Sequence, residues 1–300
     1  MEVGGAEVRI RGKLIRIAYV EGEGYKFLED PEAALELLKG SSERIDLFTF
    51  IQKLSDNTPK YSFPLEWDNM AALPISTFDN WMTNQIDRKV RNKVRKATKS
   101  GVVTREVPFD DSLIKGIQGI YNESPIRQGR RFPHYGEDLE TLRKIKATFL
   151  ERSIFLGAFF EDELIGFVKL VSDEGHSQMG FMHILSMIKH RDKAATNALV
   201  AQAVRSCAER GIPYLWYANM TYGNKQESAL ADFKRYNGFQ KVDVPRYYVP
   251  LTAAGRMALR LGLHRGIVQW IPEPVADSLR RFRTLWYAKR SSIERAPSEG

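Results

Sequence analysis

The chain has 300 residues, 43% of them hydrophobic and 11% aromatic, enough apolar surface for one large buried core or two modest ones. Its 45 Lys and Arg against 37 Asp and Glu leave a formal charge of +8, which points to anionic partners: nucleic acid, phosphorylated small molecules or an acidic lipid surface. A single cysteine, Cys207, excludes an intrachain disulfide. No apolar run reaches the roughly 18 to 20 residues that span a bilayer. The N-terminal stretch lacks the apolar centre of a secretory signal, so the expected location is cytoplasmic or peripheral to the inner face of a membrane.

Residues 7 to 20, EVRIRGKLIRIAYV, alternate charged and apolar side chains and predict one or two strands. Pro31 to Leu38 predicts a short helix through Ala34, Leu35, Leu37 and Leu38, and Asp46 to Phe50 another strand. Residues 55 to 80 hold Pro59, Pro64 and Pro74 among scattered aromatics and read as a connecting segment ordered by packing. Residues 1–78 are therefore expected to form a small N-terminal α/β unit.

A basic docking helix is expected over 79–101, ending at Gly101. Eight Lys or Arg lie between Arg88 and Arg105, and after Asp87 no acid occurs until Glu106. Ile86, Val90, Val94 and Ala97 recur at helical spacing and form a narrow apolar stripe for docking. Arg88, Arg91, Arg95 and Lys99 share another face, which predicts either a row of cations lining a groove, with Arg95 in contact with substrate, or a plain solvated face.

From Val102 the pattern becomes a regular alternation: strand 102 to 108, helix 112 to 122, a polar loop 123 to 136, helix 137 to 150, and strands 153 to 160, 164 to 172 and 177 to 186. Helix 194 to 210 follows, with a wide stripe through Leu199, Val200, Ala203, Val204, Cys207 and Ala208, closed by Gly211. Strand 213 to 218, helix 225 to 236 and a strand pair around 239 to 251 complete a core of residues 102–252.

That element order resembles the GNAT acyltransferase fold over residues 102 to 251. Two local stretches are similar to its Fem-like (FemAB) aminoacyltransferase branch: RNKVRKATKSGV, Arg91 to Val102, and FKRYNGF, Phe233 to Phe239. The resemblance implies an α+β fold with a mixed, mainly antiparallel, splayed sheet flanked by helices. It also implies transfer of an acyl or aminoacyl group from an activated donor to an amine. GNAT enzymes hold the donor pyrophosphate on a glycine-bearing loop that opens the long helix. The corresponding residues here are Arg191, Asp192, Lys193, Ala194, Ala195, Thr196 and Asn197, of which Arg191, Lys193, Ala194, Thr196 and Asn197 are the donor-binding candidates. The glycines are missing. Alanine in right-handed helical angles still exposes its N–H, but Asp192 puts a negative charge where phosphates would sit. The donor is expected to be a co-substrate, acyl-CoA or aminoacyl-tRNA, with no tightly bound cofactor and no metal.

Acyl transfer to an amine needs a neutral nucleophile, a polarised carbonyl and a proton donor. By the motif match Lys234, next to Phe233, polarises a carbonyl or holds a phosphate, and Tyr236 is an alternative proton donor. His183, expected at the centre of the sheet, is a candidate base, and Glu123 substitutes for the glutamate base that the strand lacks. The loop from Asn122 to Gly136 concentrates Arg127, Arg130, Arg131, His134 and Tyr135, side chains suited to an anionic small-molecule or conjugated acceptor.

Residues 253–300 carry two cationic, amphipathic helical stretches separated by Pro272-Glu273-Pro274 and a frayed tail; they either pack on the first unit or lie on an anionic membrane. tRNA is a further expected partner. Two alternatives stand beside this reading: an acetyl-CoA-dependent N-acetyltransferase with a degenerate pyrophosphate loop, and a non-catalytic module of the same fold binding nucleic acid or anionic membrane.

Overall fold

Eleven strands join into one mixed sheet in a computed structural model that describes residues 1–221 and 228–265. The strands are β1 (Glu2–Val3), β2 (Ala6–Arg11), β3 (Ile17–Val20), β4 (Leu47–Ile51), β5 (Leu65–Pro74), β6 (Val103–Val107), β7 (Ile126–Arg127), β8 (Arg130–Arg131), β9 (Ser153–Phe160), β10 (Glu163–Ser172), β11 (Met179–Ser186), β12 (Tyr214–Asn219) and β13 (Gln240–Pro250). The order across the sheet is β1-β2-β3-β4-β13-β5-β12-β11-β10-β9-β6, with β7 and β8 forming a separate small hairpin. Only β3/β4 and β11/β12 pair in parallel; the other ladders are antiparallel, as the expected fold class requires.

The helices are α1 (Pro31–Lys39), α2 (Phe78–Asn80), α3 (Arg88–Lys99), α4 (Asp111–Asn122), α5 (Leu139–Lys146), α6 (Ala195–Glu209), α7 (Ala229–Tyr236) and α8 (Ala253–Arg260). Seven of these begin at a side chain that accepts a hydrogen bond from the first turn: Asp30, Thr77, Asp87, Asp110, Asp138, Ser228 and Thr252. The exception is α6, which starts at Ala194 in left-handed geometry, φ 54°, with no side-chain cap.

Helices cover both faces of the strands that carry the site. Gly166 of β10 faces α6, since a Cβ there would stand 3.1 Å from Leu199 Cδ1. The next residue, Phe167, faces α4, its ring 5.9 Å from that of Tyr121. Successive side chains of a strand point to opposite faces, so this pair fixes which residues of the central strands share a face.

Three sequence expectations are corrected. Residues 65–74, expected inside an irregular connection, form β5 and pair with both β12 and β13; Pro64 and Pro74 stand at its two ends, where a missing donor does least harm to the ladder. The expected strand pair at 239–251 is one eleven-residue strand. The basic helix is interrupted: a π-turn over Trp81–Gln85 follows α2, the chain extends at Ile86, and Asp87 caps α3 afresh. Trp81, which opens the π-turn, is fully buried, and its Nε1 donates to the Asn237 carbonyl at 3.0 Å.

Two cores lie along the continuous sheet, and both draw on residues from either side of the expected boundary at residue 78: Tyr247 and Val249 join the smaller one, Ala71 and Leu73 the larger. Val8, Leu35, Phe48 and Tyr247 pack together at one end, and the larger core gathers Trp81, Ile117, Phe167 and Leu199 at the other. Arg246 of β13 links strands across that division through Glu23 at 2.8 Å and Asp68 at 2.7 Å. The beginning of the expected C-terminal extension packs on the first unit: Ala258 joins Ile17 and Leu47, and His264 Nε2 lies 2.8 Å from Glu66. The rest of that extension lies outside the described residues.

Candidate functional site

Parallel strands β11 and β12 pair only through Met179 with Leu215 and Gly180 with Trp216, and then part. Trp216 lies over Gly180 so closely that a Cβ there would stand 2.5 Å from the indole nitrogen, a position only glycine fills. Beyond that point each strand exposes backbone and side chains to a gap in the middle of the sheet. The carboxyl ends of the two strands, α6 and α7 surround this gap.

Lys234 enters from α7. Its side chain is fully buried, its Nζ donates to the Asn219 carbonyl at the end of β12 at 2.6 Å, and it stands 4.7 Å from the centre of the Tyr217 ring. Burial draws its pKa down to about 8, so the group remains mainly an ammonium near neutral pH while holding its proton less tightly. Phe181 of β11 packs on Tyr217 with ring centres 5.1 Å apart, and Phe233 packs against the same core. Trp67, Asn69, Thr221, Lys241 and Asp243 line a cavity of about 800 Å³ at the end of β12. Trp67 and Asn69 share strand parity with Leu73, whose Cδ1 would stand 3.3 Å from a Cβ at Gly238 just beyond α7, so this cavity opens on the α7 side.

His183 belongs to the other face. It pairs with Lys169 across the β10–β11 ladder, and Lys169 points the same way as Phe167 two residues before it. Burial, with Lys146, Lys169 and His134 nearby, lowers the His183 pKa to about 3, so its imidazole is neutral at physiological pH. Around it are three residues that sequence reasoning passed over: Tyr121, Lys146 and Lys169. Both lysines are fully buried. Nothing in the sequence flagged them, since Lys146 reads as the polar end of a helix and Lys169 as the polar residue of an alternating strand.

The arginine loop does not converge with Lys234. Arg127 is committed to its own neighbourhood, donating to the Ser186 carbonyl at 3.0 Å, the Ile120 carbonyl at 2.5 Å and Glu123 at 3.0 Å. Arg130 and Arg131 are exposed on the hairpin and Tyr135 is exposed beyond it. His134 stacks on Tyr121 at 5.1 Å, with its Nδ1 2.9 Å from Glu137.

Two acid/base candidates change role. The Glu123 carboxylate, besides Arg127, accepts from the backbone N–H of Ile188 at 2.6 Å and of Lys189 at 2.7 Å. Three donors occupy its two oxygens, so it braces the segment after β11. Tyr236 is 42% exposed, and Lys89 of α3 lies over its ring at 5.8 Å; its spacing on α7 turns it away from Lys234.

At the start of α6, Arg191 and Asp192 are exposed and Lys193 lies over the Phe160 ring at 4.3 Å. Ala194 adopts the left-handed conformation that glycine takes readily, not the right-handed angles expected for alanine. The Thr196 hydroxyl is 2.7 Å from that of Ser186, which ties α6 to the end of β11, and Asn197 is buried within the helix. The adjacent α3 presents Arg88, Lys89, Lys93, Arg95, Lys96 and Lys99 to solvent. Arg91 leaves the expected row, folding back to the Met82 carbonyl at 2.8 Å and the Thr83 carbonyl at 2.7 Å, acceptors freed by the π-turn. Among the described residues no cluster suited to a metal ion is present, and no helix is long and apolar enough to cross a membrane.

No family model and no curated protein matches the sequence. Solved structures do. FemX superposes with a TM-score of 0.59 at 12% identity, over 85% of this chain and 86% of that one. L-PGS from Bacillus licheniformis gives a TM-score of 0.53 at 15% identity, over 80% of each chain. The C-terminal domain attributed to a lysylphosphatidylglycerol synthetase of Agrobacterium fabrum gives 0.51 at 10% identity, over 85% of this chain and 84% of that one. The chain shares its fold with FemX and with these two synthetase structures.

Proposed function

We propose that this chain, built on a Fem-like GNAT fold, is an acyltransferase that moves an acyl or aminoacyl group from an activated donor to an amine of an anionic acceptor. The observation that carries the reading is Lys234, a buried ammonium held against the Asn219 carbonyl where β11 and β12 have parted. A charge kept in place in a water-poor gap stabilises the oxyanion that forms when an amine attacks a carbonyl, and it needs no reorganisation at the moment of reaction.

The donor class favoured is aminoacyl-tRNA. The exposed cations of α3 make a sequence-independent surface for a phosphate backbone, and they adjoin α6, whose first turn has no side-chain cap. A second reading, with acyl-CoA as donor, draws on Ala194: its left-handed turn leaves the first N–H groups of α6 unclaimed by any side chain, the feature a pyrophosphate uses.

The test is transfer of radiolabel from aminoacyl-tRNA or from acetyl-CoA into a lipid extract and a metabolite extract, for the natural chain and for Lys234→Met. Transfer that is lost in the variant while its melting temperature holds supports the reading, and the productive donor decides between the two. Transfer unaffected by the substitution removes Lys234 from the chemistry. No transfer from either donor, with salt-sensitive RNA or vesicle binding, indicates a non-catalytic binding module on the same fold.

A further inference from the structure

On the sheet face opposite Lys234, side chains from α4, α5, β10, β11 and the segment leading into α5 crowd around one point. Lys146 is fully buried, and its Nζ meets no hydrogen-bond acceptor among the described residues. It is flanked by aromatic faces instead, 5.2 Å from the centre of Tyr121 and 5.8 Å from that of Phe167. Lys169 is also fully buried, but it is satisfied by the carbonyls of Lys146, at 2.8 Å, and Thr148, and by the Thr148 hydroxyl at 3.2 Å. His183, opposite Lys169, is partly exposed. His134 shares the Tyr121 ring, and Glu137 holds it through one oxygen.

A buried ammonium without an acceptor is costly even after relaxation, and aromatic faces offset only part of that cost. Two carboxylates act on the lysines, Glu151 on Lys169 and Glu137 on Lys146, and neither is hydrogen-bonded to Lys146. Glu137 has its second oxygen buried and unbonded, and it does not close the contact with Lys146.

We propose that Lys146 and His183, with the charge of Lys169 behind them, form a receptor for one oxyanion group, a carboxylate or a phosphate, that completes the hydrogen bonding of Lys146 and enters past His183. The site rests on the acyltransferase reading only in giving this group a role, that of the acceptor's anionic end; the receptor itself stands on the side-chain cluster. Acceptor and Lys234 then meet from opposite faces at the gap between β11 and β12. Burial first, and then the neighbouring lysines, lower Lys146 to about 7 and leave His183 neutral with a pKa of about 3; a bound anion favours the protonated form of each.

The experiment is titration of the full chain, at constant ionic strength in chloride, with inorganic phosphate and separately with acetate. It is followed through the His183 ring resonances and the melting temperature. A saturable shift is expected for at least one anion, with affinity reduced about tenfold in Lys146→Met, the loss of one charged hydrogen bond. Methionine fills the same apolar channel and removes a buried charge, so the variant is expected to fold; His183→Asn is a second variant that leaves the lysines in place and is also expected to weaken binding. A response to phosphate alone assigns the acceptor group as a phosphate, and a response to acetate alone as a carboxylate. No saturable response to either anion, or an equal response in Lys146→Met, overturns the proposal. Neither result depends on turnover, so failure of the Lys234 assay and failure of this titration are separate outcomes.

Discussion

Trp216 covers Gly180 at the last pair joining β11 to β12, and this contact sets where the sheet opens. The indole belongs to a cluster with Tyr25, whose ring is 4.9 Å away, and Val171, so it cannot swing aside without unpacking that cluster. A side chain at residue 180 must either displace the indole or force the strands apart one pair earlier.

Gly180→Ala is therefore expected to destabilise the fold by about 1 to 3 kcal/mol, the usual cost of overpacking a filled site. A denaturant titration checks it. An unchanged midpoint would mean that Trp216 has room to move and that the opening is set elsewhere.

Glu123 braces the segment that follows β11. Glu123→Gln keeps the shape but loses the charge that Arg127 and the Ile188 and Lys189 amides share. A loss of about 2 kcal/mol is expected, in the range for hydrogen bonds to a charged group. Hydrogen exchange at those two amides should rise well above that at β10 amides. Retained protection would show that the turn is held by other contacts.

Ala194 carries a left-handed backbone at the entrance to α6. Ala194→Gly relieves that strain, with an expected gain of about 1 kcal/mol, since the left-handed region costs an L-residue roughly 1 to 2 kcal/mol and the freer unfolded chain takes back part of it. Calorimetric melting of the two proteins measures the difference; a lower melting temperature in the glycine variant would contradict it.

Stability should rise with pH through the weakly alkaline range. Burial lowers Lys146 to about 7 and Lys169 and Lys234 to about 8, from 10.5. The unfolded chain then holds protons that the folded chain has released, so stability falls as pH drops from 10.5 toward 7 and levels off below. The groups facing Lys146 are Tyr121, His134, Glu137, Lys169 and His183; Lys169 also feels Glu151. His183 adds a loss of the same sign as pH falls from 6.5 toward 3. The denaturation midpoint at about pH 9.5 is expected to exceed that at about pH 7, with a smaller difference in Lys146→Met. Equal midpoints would place these amines in contact with water.

Local order was legible in the chain. Alternation predicted the meander of β9, β10 and β11, and the apolar stripe of α6 placed it against the sheet; the caps Asp138 and Ser228 lie inside the helices expected from 137 and 225. The motif at Phe233 led to Lys234. These features depend on residues within a turn or a strand of one another, and the physics of caps and periodicity acts over that range.

The sequence did not disclose β5, because prolines at both ends masked a strand whose partners lie more than 140 residues away in β12 and about 170 away in β13. It also did not disclose that Arg91 and Arg127 turn inward, or that Lys146 and Lys169 are buried together. A cation's role is set by which carbonyls and carboxylates reach it, and those come from distant segments: Ser186 for Arg127, Thr148 for Lys169, Asn219 for Lys234. Charge and periodicity determined which side chains the protein would have to place; the long-range pairing of strands decided which of them are consumed in holding the fold and which are left facing the gap.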